Sequence, residues 1–130
     1  MALNFLTAAT ANAAMDAIVA ASTNMKISLH VATPVAGSVL TGTGEEVGTG
    51  YSKQTGQFTA AVNGAKTGPN SAVSYAATGW TASAPLGWFV VWESTGTTPL
   101  CGGALSATLQ PPPNCTVVIL AAGLSLSVAG

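Results

Sequence analysis

Short stretches in which apolar and polar residues alternate recur from residue 25 onward. In residues 25–32 (MKISLHVA), the apolar positions alternate with Ser28 and His30, and this period-two pattern predicts a half-buried β-strand. Residues 87–93 (GWFVVWE) form the strongest predicted strand, because both of its faces carry large apolar side chains. Further strands are predicted at residues 51–62, 72–76, 100–109, 115–120 and 124–128.

A different periodicity precedes these strands. Residues 7–21 are rich in alanine and contain neither Gly nor Pro, and Thr7 can act as the N-cap of a helix there. Apolar side chains recur at three- and four-residue spacing, with Met15 and Ile18 among them, while Asn12 and Asp16 fall on the opposite face. The apolar stripe is thin, so we expect the helix to need a partner surface.

Turn signals separate the predicted strands. Asn63-Gly64 and residues 68–70 (GPN) are typical of turns. The three prolines of residues 110–114 (QPPPN) must lie in a connection between two strands, which we predict to be a hairpin. We therefore predict a mainly β protein with an N-terminal helical arm, residues 1–22, and one antiparallel β-sandwich of jelly-roll or immunoglobulin-like type, residues 23–130. Deletion of the arm is expected to leave the sandwich folded.

Charge is scarce in this chain. Only 5% of its residues are charged: there are three lysines, no arginine, four acids and one histidine. An ordinary domain has about 25%. No basic patch is available for nucleic acid or for a polybasic membrane contact.

The N-terminal stretch has no positive charge before its apolar residues and is interrupted by polar ones, so it predicts neither a secretion signal nor a membrane span.

Few side chains could carry out chemistry. His30 would have to combine with Asp16 and a serine to form a catalytic triad, and no Gly-x-Ser-x-Gly motif is present. Glu45 and Glu46 are adjacent, so on an extended segment they point to opposite sides and do not share a site. We expect no catalytic, cofactor or metal site, and therefore no enzyme.

The two cysteines allow two interpretations. Cys101 and Cys115 flank the predicted hairpin and could face each other as a disulfide. In a cytosolic assembly they would instead be two small buried thiols.

The tryptophans also allow two interpretations. Trp88 and Trp92 share one face of their strand, roughly 13 Å apart at the usual rise. That spacing suits stacking along a glycan, whereas the alternative is the sandwich core or an interface between subunits.

A series of short motifs runs through most of the chain. In order they are Met1-Ala2-Leu3-Asn4, Asp16-Ala17-Ile18-Val19, Ile27-Ser28-Leu29-His30 with Ala32 and Pro34, Glu46 with residues 48–53 (GTGYSK), residues 88–93, and Gly102-Gly103-Ala104-Leu105. Together they resemble the small structural proteins of tailed bacteriophages that are called decoration, minor tail or tail-fibre proteins. Residues 110–114 and both cysteines are not part of that pattern. The resemblance implies a β-sandwich that coats or completes a virion without a cofactor.

The resemblance and the low charge together indicate a capsid decoration (cement) protein. Its expected partner is the major capsid protein, and its expected location is the virion, assembled in the host cytoplasm. A minor tail or baseplate protein and a carbohydrate-binding module remain as alternatives. We also expect a homo-oligomer, a trimer, because shell sites of local three-fold symmetry favour three copies. The candidate interface residues are Phe5, Leu6, Met15, Ile18, Trp88 and Trp92.

Overall fold

The computed structural model describes residues 7–21, 23–75 and 80–127 and shows a mainly β chain, with 42% strand and 9% helix. Pairs of named strands are all antiparallel, which confirms the predicted sandwich-like class with one short helix. The elements are α1 (Ala8–Ile18), β1 (Met25–His30), β2 (Val35–Ala36), β3 (Val39–Leu40), β4 (Gln54–Gly56), β5 (Ala65–Gly68), β6 (Val73–Tyr75), β7 (Leu86–Trp92), β8 (Pro99–Leu109), β9 (Val117–Ile119) and β10 (Leu124–Ser127).

The first layer is a four-stranded sheet in the order β4-β1-β7-β8. At its centre Ile27 pairs with Val91 and Leu29 pairs with Phe89. Because side chains alternate along a strand, these odd-numbered residues face the core and the even-numbered ones face the other side. The eleven-residue strand β8 forms one edge of this sheet.

The second layer is a two-stranded ribbon. β5 pairs with β10 and β6 pairs with β9, and the two ladders share one register: Gly68 lies opposite Leu124, and five residues on, Val73 lies opposite Ile119. One leg of the ribbon is therefore β5–β6 and the other is β9–β10, each interrupted by a short irregular segment.

Two tyrosines tie the core to the first layer. The Tyr75 hydroxyl donates to the Ile27 carbonyl at 2.9 Å, and the Tyr51 hydroxyl accepts from the Leu29 amide at 2.8 Å. Their rings stack with centroids 5.9 Å apart. Burial raises the pKa of both hydroxyls, so they stay protonated at neutral pH and keep these hydrogen bonds.

The helix α1 packs on the chain's own core. The Thr7 hydroxyl accepts from the Thr10 amide at 3.2 Å, which confirms Thr7 as the N-cap. Met15 belongs to the buried core. The polar face is also engaged: the Asp16 carboxylate lies 2.6 Å from the ammonium of Lys66, and the Asn12 side chain accepts from the Gly64 amide at 2.7 Å. The thin stripe thus has a partner surface within this chain.

The predicted hairpin around residues 110–114 is wrong. β8 pairs with β7 in the first layer, whereas β9 pairs with β6 in the second. The proline-rich segment therefore crosses from one layer to the other. Strand propensity gives no information about the pairing partner, and this is where the sequence-based interpretation failed.

Candidate docking surface

Ser28, His30 and Trp92 form a buried polar cluster on the side of the first layer away from the core. The Trp92 indole N–H donates to Ser28 Oγ at 2.6 Å, and Ser28 Oγ lies 2.7 Å from His30 Nε2. His30 Nδ1 lies 2.8 Å from the Thr43 carbonyl, which can only accept, so Nδ1 carries the proton. Burial lowers the pKa of His30, in keeping with a neutral ring. Each polar atom in this chain of hydrogen bonds has a partner.

This cluster is structural rather than catalytic. Ser28 and His30 are fully buried, so no substrate reaches the hydroxyl. The position that an aspartate takes in a triad is occupied by the Thr43 carbonyl, while Asp16 pairs with Lys66 instead. His30 is buried under the loop that carries Thr43, although the half-buried pattern of residues 25–32 would leave this side of the strand exposed.

Glu45 and Glu46 point to different partners, as their adjacency predicted. Glu45 pairs with Lys53 at 2.9 Å near the surface. Glu46 is buried and accepts from the Gly48 amide and from the amide and hydroxyl of Ser83, the latter two at 3.0 and 3.1 Å. Glu46 therefore fastens its loop to the segment before β7. It is not poised for acid–base chemistry.

The tryptophan pair does not form an open platform. Trp88 is half-buried, but the Trp92 ring is buried and packs against the backbone of Gly42. The ammonium of Lys53 lies 4.1 Å from the centre of the same ring. A sugar could stack on Trp92 only if this cover moved, and the ring is equally withdrawn from contact with another subunit.

The other candidate interface residues differ in exposure. Met15 is buried within the chain, whereas Ile18 on the same helix is 40% exposed and lines a groove described below. Phe5 and Leu6 lie outside the described residues.

Both cysteines are free thiols, so the disulfide interpretation is wrong. Cys101 lies on β8, and Cys115 lies on the segment before β9, a strand that does not pair with β8. Burial raises the pKa of the Cys101 thiol to about 11, which keeps it protonated and unreactive at neutral pH.

A long apolar groove opens between the edges of the two layers. One wall is β8 and the other is the β9–β10 leg of the ribbon, and Phe89 contributes to the floor. Two adjoining hollows of about 510 and 400 Å³ make up this edge groove, and they share Phe89, Ala104 and Ser125. Met15 and Ile18 close one end of it.

The walls of the edge groove are unpaired strand edges. Within the described part of the chain, β8 pairs only with β7, and β9 and β10 pair only with β6 and β5. Alternate N–H and C=O groups on the outer edge of a strand then point away from the sheet. Such an edge is a template for pairing with another chain.

No charged side chain lies near these edges in the sequence. Residues 94–130 contain no Asp, Glu, Lys, Arg or His, so every charged residue lies between Asp16 and Glu93. Val118, which lines the groove, and Leu120, close to it in the chain, are nonetheless exposed. The uncharged tract is visible in the sequence and could have predicted that these residues form a contact surface. The groove itself depends on strand pairing, which the sequence pattern did not reveal.

The structure offers no site for a metal ion or a membrane span among the described residues. No group of three or more His, Cys, Asp or Glu side chains there is placed to bind a metal ion, and none of the helices there is long and apolar enough to cross a bilayer.

Comparison with known proteins found no matching family model, no matching curated protein and no matching solved structure.

Proposed function

We propose that this chain is a structural protein of a tailed-bacteriophage virion, a capsid decoration (cement) protein that binds the assembled shell of major capsid protein. The observation that carries the proposal is the uncharged tract that follows Glu93: its described residues form two unpaired strand edges and the walls of an apolar groove. A surface without charge has little to oppose close contact with another protein. The resemblance in short motifs supports a virion as the place of that contact.

Binding, rather than catalysis, accounts best for the buried groups. The polar contacts of the Ser28–His30 pair, Glu46 and Lys66 in the structure are made to other groups within the fold. A capsid offers many identical sites, so a small domain can reinforce it by adding non-covalent contacts at each one. The cover over Trp92 weighs against the carbohydrate-binding alternative.

Copy number on purified particles tests the proposal. Quantitative mass spectrometry of the virion should give hundreds of copies of this chain, in a fixed ratio to the major capsid protein. A few to tens of copies, with density at the tail, would replace this proposal with a minor tail or baseplate role. Absence from purified particles would refute a virion role altogether.

A further inference from the structure

The two layers of the sandwich end on the same side of the molecule. The first layer ends at β8, residues 99–109, and the second ends at the β9–β10 leg, residues 117–127. Each edge segment covers eleven residues: β8 is continuous over about 35 Å, whereas residues 120–123 interrupt the β9–β10 leg. The edge groove lies between them, with apolar side chains on its floor.

We propose that this open side pairs with a second copy of the same chain across a two-fold axis. The axis runs roughly perpendicular to the layers, so that β8 lies antiparallel to β8 of the second copy and the two ribbon edges face each other in the same way. The result is one sandwich that continues through both subunits. This inference does not depend on the proposed virion role.

The occupant is a second copy because of the geometry of the two edges. A single extended peptide could satisfy one edge only and would leave the other unpaired. A partner that satisfies both must present two strand edges at the same separation and with the same offset. A second copy does so by symmetry, since a two-fold contact is self-complementary.

Charge and side-chain size permit the close approach. Neither edge segment contains a charged residue, so the two-fold axis brings no like charges together. Gly102, Gly103 and Ala104 are small residues in the regularly paired part of β8, before the register shift that precedes Leu109. Charged side chains, which often protect an edge strand, are absent from both segments.

The pairing would also cover the groove. Leu105 lines the groove and is only partly shielded by its own chain, whereas Phe89 and Leu126, which also line it, are already buried. Apolar side chains from the second copy would complete a common core at this point. The proposed assembly is therefore a two-fold dimer, and not the trimer that we expected from the local three-fold symmetry of a capsid shell.

Sedimentation velocity of the purified full-length chain over a range of concentrations tests the pairing. The wild-type protein should form a dimer in reversible equilibrium with monomer. Ala104→Lys on β8 and Ser125→Lys on β10 each place a charge on an exposed position of an edge segment, and each should raise the dimer dissociation constant by about tenfold or more. Val47→Lys is the matched control, because Val47 is exposed and lies outside the groove.

Hydrogen exchange on the same samples shows whether the edges are involved. Amides in β8 and β10 should exchange slowly in the dimer and faster in Ala104→Lys, while the centre of β1 stays unchanged in both. A wild-type chain that is monomeric at all concentrations would overturn the proposal. A dimer that persists in both Ala104→Lys and Ser125→Lys would overturn it as well. If the free chain is monomeric and Ala104→Lys abolishes attachment to particles, the edge binds a shell protein; the second copy is then excluded and the virion role stands.

Discussion

At the scale of single residues, the most consequential contact is one that the sequence did not suggest. Lys66 is fully buried on a strand, where its ammonium pairs with Asp16 and donates to the Thr59 carbonyl at 2.9 Å. Alternation with Ala65 and Thr67 gave no sign of a buried charge. Thr7, by contrast, was identifiable as an N-cap, because the capping hydrogen bond is local and needs no knowledge of tertiary contacts.

Asp16→Asn should destabilise the fold. Loss of the carboxylate leaves the buried Lys66 ammonium with neutral acceptors only, so the free energy of unfolding should fall. The control is Glu45→Gln, which breaks the partly exposed pair with Lys53 and should cost less than about 1 kcal/mol. Urea unfolding measures both, and equal losses would show that the burial of Lys66 has no energetic role.

The same pair makes stability depend on acid pH. The hydrogen bond from Lys66 lowers the pKa of Asp16 below its usual 3.8. A carboxyl group whose pKa is lower in the folded state stabilises the fold above the unfolded pKa, and this contribution disappears as the pH falls through the folded value. The difference in unfolding midpoint between wild type and Asp16→Asn should therefore shrink as the pH falls below 3.8. A difference that stays constant there would show that another group carries the effect.

The two thiols should differ in reactivity. With a pKa of about 11, Cys101 is ionised to about one part in a thousand at pH 8, and only the thiolate reacts readily. In Cys115→Ser, where Cys101 alone remains, reaction with a disulfide reagent should be at least about tenfold slower than in Cys101→Ser. The rates should become similar in denaturant. Equal rates in the folded state would contradict the burial of Cys101.

At the scale of elements, the sequence predicted most strands but not their partners. The β1 and β7 segments were recognisable because an apolar run or alternation is a local property. The β5 strand was missed: it follows the Asn63-Gly64 turn and holds Lys66, which has no strand preference of its own. Pairing across the layers, and with it the edge groove, depends on long-range packing that a single sequence does not display.

The helix α1 should contribute to the core through one side chain in particular. Met15 is buried and Ile18 is exposed, although both belong to the same predicted stripe. Met15→Ala should lower the free energy of unfolding by about 2–5 kcal/mol, because it leaves a cavity in the core. Ile18→Ala, the matched control, should change it by less than about 1 kcal/mol. A small effect of Met15→Ala would show that the helix is a separate arm, as the sequence predicted, and not part of the core.

At the scale of the whole molecule, the charges lie on one part of the chain and the unpaired edges on another. All eight Asp, Glu, Lys and His residues precede Ser94, and the edge strands follow it. The scarcity of charge could be seen in the composition and led to the expectation of a contact surface. The composition could not show which side of the molecule that surface would occupy.

On the proposed virion role, attachment of this chain to the particle should depend only weakly on salt. Few ion pairs can form with so few charges, and exposed pairs contribute less than about 1 kcal/mol each. Salt screens charge but does not weaken apolar contact. Occupancy on particles, measured by gel densitometry after pelleting, should be unchanged up to about 0.5 M NaCl. Release by that salt alone would contradict an uncharged interface.

The central claim is that the uncharged side of the molecule is its protein-contact surface. An electron cryo-microscopy map of purified particles, detailed enough to orient this chain, tests it most directly. We expect β8 and the β9–β10 leg to lie against neighbouring subunits, with Lys26, Lys53 and Glu93 facing solvent. A map in which the charged side meets the neighbours and the edge groove lies open to solvent would contradict the account.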